Sequence, residues 1–376
     1  MKFIVYLITL VLNDLKLIFN TRWKWITFGL IGVMYLILWA GIRKSSYKPL
    51  KSNLLVGERL VGRASRIVDP GIPLIGPYGY DSQFFWALSI DPFLRDTVIK
   101  KSIDSPSYRS QRMLLPLLTW SIIRDPLNII FGLWFWCAVG FALGFLGIVI
   151  LCRHFKVSML LPLCMYYFNP GLVIAFIHPM SEVLATGLFL LGLASWVNDK
   201  KWISSLLFTL ACLAREYTAV YIFSIAIFEI WTNRSINFKK LIPLAISGIP
   251  MIAWQIYIRM HLGIWASSQS HRNFDWPFVG TIRYFIKNIQ EGKISKDLVG
   301  AVCLNLACVI VLINLKGSYK NLLFFLSMAS AVLLTFSGIA IMESDWSFIR
   351  ASIVFVTLTS ISALVSNSTS NTGVKV

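Results

Sequence analysis

The feature that most constrains this chain is "LNIIFGLWFWCAVGFALGFLGIVIL", Leu127 to Leu151, a run with no charged residue. About 20 apolar residues in a helix cross the hydrocarbon core of a bilayer. Similar runs lie near Ile26–Ile42, from Ser158 onward, and at Val183–Val197, Leu241–Met260, Leu298–Leu315, Leu322–Ile341 and Phe348–Val365. Two shorter halves, Trp202–Leu213 and Tyr217–Trp231, flank "AREY" and form either two segments or one broken helix. Only 14% of the chain is charged and 57% is hydrophobic, whereas soluble domains carry about a quarter charged residues. The expected fold is all-α: a polytopic transmembrane helix bundle of about ten spans. Residues 1–376 are read as one integral membrane domain, with a large first extracytoplasmic loop at 43–126 and a second at 261–297. The first loop holds "MLLPLLTWSII", too short to cross alone and read as an interfacial or re-entrant helix.

The net charge of +18 does not point to nucleic acid. The basic residues gather at segment ends, where they meet anionic membrane lipid, and no nucleic-acid module appears. The six cysteines lie in or beside apolar runs without CxxC spacing and are read as packing residues. The start, "MKFIVYLITLVLNDLKLIF", has no small-residue cleavage site after it and reads as a cytoplasmic interfacial helix.

Orientation follows from the short loops. With the N-terminus in the cytoplasm, Arg153/Lys156, Lys200/Lys201, Arg234/Lys239/Lys240 and Lys316/Lys320 all fall inside. The opposite turns, "HPMSE" and "MESDWS", carry no Lys or Arg. This pattern places the chain in the cell's inner (plasma) membrane with both termini cytoplasmic. Asp81, Asp91, Arg109, Arg112, His178, Glu182, Arg215, Glu216, Glu343, Asp345 and Arg350 then converge on the extracytoplasmic face. Charges at the membrane edge are costly, which makes them functional candidates.

Each motif has a plain structural reading beside the chemical one. In "GYDSQFFWALSIDP", Asp81 either caps the helix that follows or serves as a catalytic acid or base. Asp91 precedes a proline and reads as a helix end. Arg109 and Arg112, three residues apart, either grip a phosphate or lie among lipid headgroups. In "NPGLVIAFIHPMSE", Asn169-Pro170-Gly171 breaks a membrane helix, and Glu182 falls in the first turn of the next one. Arg215-Glu216 is either a self-paired buried charge or holds an arginine for an anionic group. No GxGxxG, P-loop, HExxH or GxSxG occurs. No His/Asp/Glu set has metal-ligand spacing, so no cofactor is expected; a divalent metal is compatible but has no assignable ligands.

Taken in order, "YDSQFFWALSIDPF", "YRSQRMLLPLLTW", "NPGLVIAFIHPMSE" and "LAREYTAV" resemble bacterial multi-spanning proteins with a Tyr-Asp-Gly-Gln-Phe-Tyr string. The layout is similar to GT-C type glycosyltransferases, including the GPI mannosyltransferases. The resemblance covers Gly76 to Ile222, with a looser match around Arg350. Ser82 stands where the group has Gly, and no second acid adjoins Asp81.

The resemblance implies an inverting membrane glycosyltransferase of cell-envelope polysaccharide biosynthesis. It would move a hexose or pentose from a polyprenyl-phosphate-linked donor to a lipid-linked or polymeric glycan acceptor. Asp81 would be the catalytic base. Arg109 and Arg112 would hold the donor phosphate, with Arg215 as a further anion ligand. Tyr80, Gln83, His178, Glu182 and Glu216 complete the expected substrate-binding set. Two other classes stay open: a surface-polysaccharide polymerase, and a flippase or transporter of lipid-linked glycan. Internal symmetry between halves would favour transport, and none is evident in the sequence.

Overall fold

The computed structural model describes residues 50–234, 237–269, 273–292, 302–303, 305–310, 321–343 and 347–372. The N-terminal interfacial helix, the Ile26–Ile42 span, Asp345 and most of the Leu298–Leu315 span lie outside them. So do both termini. The described residues fall within one unit, Pro49–Val376.

Every regular element among them is helical. The first loop folds as a 3-10 turn (Leu50–Leu54) and five short helices: α1 (Val61–Val68), α2 (Ser82–Ile90), α3 (Thr97–Ser102), α4 (Pro106–Ser110) and α5 (Leu114–Ile122). The bundle follows with α6 (Ile129–His154), α7 (Leu160–Tyr167), α8 (Pro170–Ile177), α9 (Ser181–Val197), α10 (Lys201–Ala214), α11 (Thr218–Asn233) and α12 (Phe238–Leu262). Beyond the second loop's α13 (Val279–Gln290) come α14 (Leu322–Thr335), α15 (Ile339–Glu343), α16 (Ser347–Ala351) and α17 (Ile353–Thr372).

Among the described residues two helices, α6 and α12, are long and apolar enough to cross a membrane. A third crossing arises if α7 and α8, bent by 46° at Asn169, count as one. Five other apolar stretches, including α9, α10, α11 and α14, have only 10–17 residues. At 1.5 Å per residue, 17 residues reach about 25 Å, short of the ~30 Å core. Polar breaks explain the shortness. Asn169 stops α7 and N-caps α8, its Oδ1 accepting from the backbone N–H of Gly171 at 2.9 Å and of Leu172 at 3.3 Å. Arg215, Glu216 and Tyr217 separate α10 from α11.

The outward faces are apolar, as expected for a membrane protein. Ile242, Ile246, Ile249, Ile252 and Ile256 form an exposed stripe along α12. Their spacing of three and four residues puts them on one helix face. The centre is α9, buried from Ser181 to Trp196. It packs against α6 and α10, and α10 packs against α12. A Cβ on Gly187 of α9 would collide with the Gly140 carbonyl of α6, so small residues set this crossing. At the far end of the bundle, Trp196 donates to Glu229, which also pairs with Lys240 at 2.9 Å. The basic ends of α6 and α9–α12 gather there. Glu182, the Arg215 turn and the end of α12 tied to the first loop lie at the opposite end.

Candidate functional site

At that opposite end the first loop is locked over the bundle. Gly76 and Gly79 adopt positive φ (62° and 68°), which turns "GPYGY" back toward residues 55–57. Gln83 clamps the turn: its Oε1 accepts from the Gly57 N–H at 3.0 Å and its Nε2 donates to the Tyr78 carbonyl at 2.7 Å. The Gln83 amide is therefore committed to backbone. Ser82, at the position where the resembling proteins have Gly, is buried and donates to the Leu54 carbonyl at 2.6 Å.

Asp81 precedes α2 but its side chain makes no capping hydrogen bond. The capping reading of Asp81 is thereby replaced; Asp96 and Asn169 show what true caps look like here, each accepting from two backbone N–H groups. The Asp81 carboxylate instead lies between two arginines. Arg109 Nη1 donates to Oδ1 at 2.8 Å and Arg350 Nη2 donates to Oδ2 at 2.8 Å. Burial alone would push the Asp81 carboxyl up, but the Arg109 and Arg350 charges outweigh it and hold the group well below the usual carboxylate range. Asp91 plays the expected separate part. It ends α2, and its Oδ2 accepts from the Asp96 N–H at 2.6 Å.

The other charges extend the junction. Arg109 reaches Asp104 with Nε and Nη2, both at 3.0 Å, and lies over the Phe84 ring at 4.3 Å. Arg350 also donates to Glu182 Oε1 at 2.8 Å and to Ser347 Oγ at 2.7 Å. Arg215 pairs with the same Glu182 oxygen at 3.0 Å. Arg112 forms a two-pronged pair with Glu216, at 3.0 Å and 2.7 Å, and also donates to the Tyr108 hydroxyl. The adjacent Arg215 and Glu216 are therefore not self-paired: each takes a partner from another element. Arg109 and Arg112 likewise take different carboxylates, and α4 ends at Ser110 between them. Trp254 of α12 fixes that end by donating to the Ser110 carbonyl at 2.8 Å.

Most of these groups, but not Asp104 or Glu182, line a cavity of about 270 Å³. Its charged lining among the described residues is Arg109, Arg112, Arg215 and Arg350 against Asp81 and Glu216, an excess of cations. The second loop supplies part of the wall. Asn273 and Phe274 are held by hydrogen bonds between residues 273–278 and the 335–338 turn, including Gly338 N–H to the Asn273 carbonyl at 2.8 Å. Phe274, Leu333, Leu334 and Ile341 make that wall apolar.

The arginines differ in what they have left to give. Arg109 and Arg112 spend several donors on carboxylates. Arg215 forms a close ion pair with Glu182, and its Nε is buried without a hydrogen-bond partner among the described residues. Arg350 Nε and Glu182 Oε2 are also buried and have no hydrogen-bond partner among the described residues. Arg350 is a principal ligand of Asp81; the sequence placed it among the charges of one face and in the looser end of the resemblance, without a role.

Two further expected residues sit at the margin. Tyr80 places its ring 5.2 Å from the Arg350 guanidinium carbon and edge-on to His178. His178 ends α8, with Nδ1 2.8 Å from the Asn53 carbonyl oxygen. Among the described residues no group of three or more His, Cys, Asp or Glu is placed to hold a metal ion. No family model matches the chain, and no curated protein or solved structure matches it.

Proposed function

We propose that the chain is an inverting membrane glycosyltransferase whose donor sugar is linked to a polyprenyl phosphate. The observation that carries this reading is the Asp81 carboxylate held between Arg109 and Arg350 on the wall of one cavity that Arg112 and Arg215 also line. Transfer from a phosphate-linked sugar needs a base for the incoming hydroxyl and cations for the leaving phosphate. Both lie on this cavity. The acceptor oxygen attacks the anomeric carbon as the bond from that carbon to the phosphate oxygen breaks. Its electron pair leaves on the phosphate, and Asp81 takes the hydroxyl proton. Attack opposite the leaving group inverts the centre.

A lipid-borne donor fits the surroundings. On the other side of α16 lies an apolar groove of about 380 Å³, lined by Met165, Phe168, Pro170, Ile349 and Val356. The short helix bearing Arg350 thus separates a charged cavity from an apolar surface. We assign the cavity to the extracytoplasmic face of the inner membrane, in a bundle of about ten spans with both termini inside. The acceptor is a lipid-linked or polymeric glycan of the cell envelope.

The test is mass spectrometry of lipid-linked glycans from cells with the chain, without it, and with Asp81→Asn at equal membrane level. Loss of one glycosyl unit on deletion and with Asp81→Asn is expected, together with accumulation of the monosaccharide-phosphate lipid. Full extension by Asp81→Asn would remove Asp81 as the base. Accumulation of only diphosphate-linked oligosaccharide would make the chain a polymerase, and an unchanged profile would sink the enzyme reading.

A further inference from the structure

The arginine clamp on Asp81 creates a chemical conflict. A carboxylate contacting two guanidinium groups is a poor proton acceptor, because both cations favour its ionised form. A general base works best when its proton affinity lies near that required at the operating pH. The site as it stands is therefore closed to base catalysis.

The geometry shows how it can open. Each clamping arginine has a second carboxylate on its other side. Arg109 holds Asp104 through Nε and Nη2 and offers only Nη1 to Asp81. Arg350 holds Glu182 through Nη1 and reaches Asp81 with Nη2, while its Nε has no hydrogen-bond partner among the described residues. Exchange of the Asp81 contact leaves both guanidinium groups anchored, by Asp104 and Glu182. Arg215, with its unmatched Nε, lines the same cavity and supplies an additional cation for an incoming anion.

We propose that Asp81 is a latent base, released when the donor's phosphate takes over the Arg109 and Arg350 nitrogens that hold it. This rests on the reading that the cavity receives a phosphate-bearing donor. The charged groups around Asp81 come from three helices and one turn: Arg109 near the end of α4, Arg112 just beyond it, Arg350 on α16, and Glu182 on α9 behind Arg350. A phosphate anion among them replaces cation contact at Asp81 with a like charge nearby, and both changes raise its proton affinity.

Gating follows from this exchange. An acceptor already in the cavity does not react until the donor binds, because no competent base exists before the phosphate arrives. Water entering the empty cavity is not activated either. After transfer the protonated Asp81 gives its proton to water. Departure of the product phosphate lipid returns the arginines to Asp81 and closes the site.

The test uses full-length protein in phosphatidylcholine nanodiscs, with aspartate side-chain carboxyls labelled with carbon-13 and read by infrared difference spectroscopy. Asp81→Glu removes the labelled band while keeping the charge, which assigns the Asp81 signal. Farnesyl phosphate is the probe and farnesol its uncharged control. Saturating farnesyl phosphate is expected to raise the protonation midpoint of Asp81 by about 2 pH units. Farnesol leaves it in place. Arg109→Gln is expected to raise the midpoint without any probe.

Probe binding with an unmoved Asp81 midpoint overturns the latency and leaves the donor site standing. Failure of farnesyl phosphate to bind overturns both readings. An equal rise with phosphatidylglycerol at the same mole fraction assigns the effect to bulk headgroups and overturns the coupling to donor.

Discussion

At the residue scale, burial decides which ion pairs matter. Glu182 is 1% exposed and serves both Arg350 and Arg215. Removing one member of a buried pair leaves the rest uncompensated, at a cost of about 3–5 kcal/mol. Glu182→Gln is expected to lower the thermal unfolding temperature strongly in detergent. Asp104, at 36% side-chain exposure, lies nearer the surface regime of about 0–1 kcal/mol. Asp104→Asn is expected to change that temperature far less, and equal losses would show that burial is not the controlling variable. Acid titration provides a second check. The Asp81 carboxyl is held well below its unfolded value of about 3.9. Its ion pairs therefore stabilise the fold fully above that pH and fade as pH falls through the depressed range. Unfolding temperatures compared at pH 7 and pH 3 should show a smaller acid loss for Asp81→Asn than for the unaltered chain. Much of this scale was legible in the sequence: Asp81, Arg112, Arg215 and Glu216 all reach the cavity. The partners of Gln83 were not legible, since a glutamine amide gives no sign beforehand that it will bind the Gly57 and Tyr78 backbones.

At the element scale, short helices aim the charges. α16 lies against α8 and carries Arg350 to Asp81. A Cβ built on Gly171 would lie 2.5 Å from the Ile349 carbonyl oxygen, so only glycine allows this approach. Gly171→Ala is expected to displace α16, at an overpacking cost of about 1–3 kcal/mol. Farnesyl phosphate binding by calorimetry should weaken with it. Unchanged affinity would show that α16 does not set the Arg350 position. The sequence marked Asn169-Pro170-Gly171 as a helix break, because proline and an asparagine cap are local signals. It did not show which element the glycine admits. That depends on a neighbour nearly 180 residues away in "MESDWSFIR".

At the scale of the whole molecule, the bundle has two chemically different ends. Arg153, Lys156, Lys200, Lys201, Arg234, Lys239 and Lys240 lie where α6 and α9–α12 begin or end away from Asp81. In the topology we propose, that end faces the cytoplasm, as the positive-inside rule requires. Single cysteines at Asp199 (87% side-chain exposure) and Ile67 (71% exposed) should separate the two sides in a cysteine-free background. A membrane-impermeant thiol reagent applied to intact spheroplasts is expected to label Ile67→Cys and to spare Asp199→Cys. The reverse pattern would invert the topology and remove the extracytoplasmic assignment.

The sequence by itself determined the helical, membrane-embedded class, because long uncharged runs leave the backbone no other way to satisfy its hydrogen bonds in lipid. It also located the breaks where charges collect, since a polar residue in an apolar run has few places to go. The pairing of those charges was decided only in three dimensions. Arg215 faces Glu182 rather than its neighbour Glu216, Glu216 faces Arg112, and Asp81 lies between arginines 28 and 269 positions away. Charge pairing depends on distance and burial, and helix packing sets both between residues that the chain order keeps far apart.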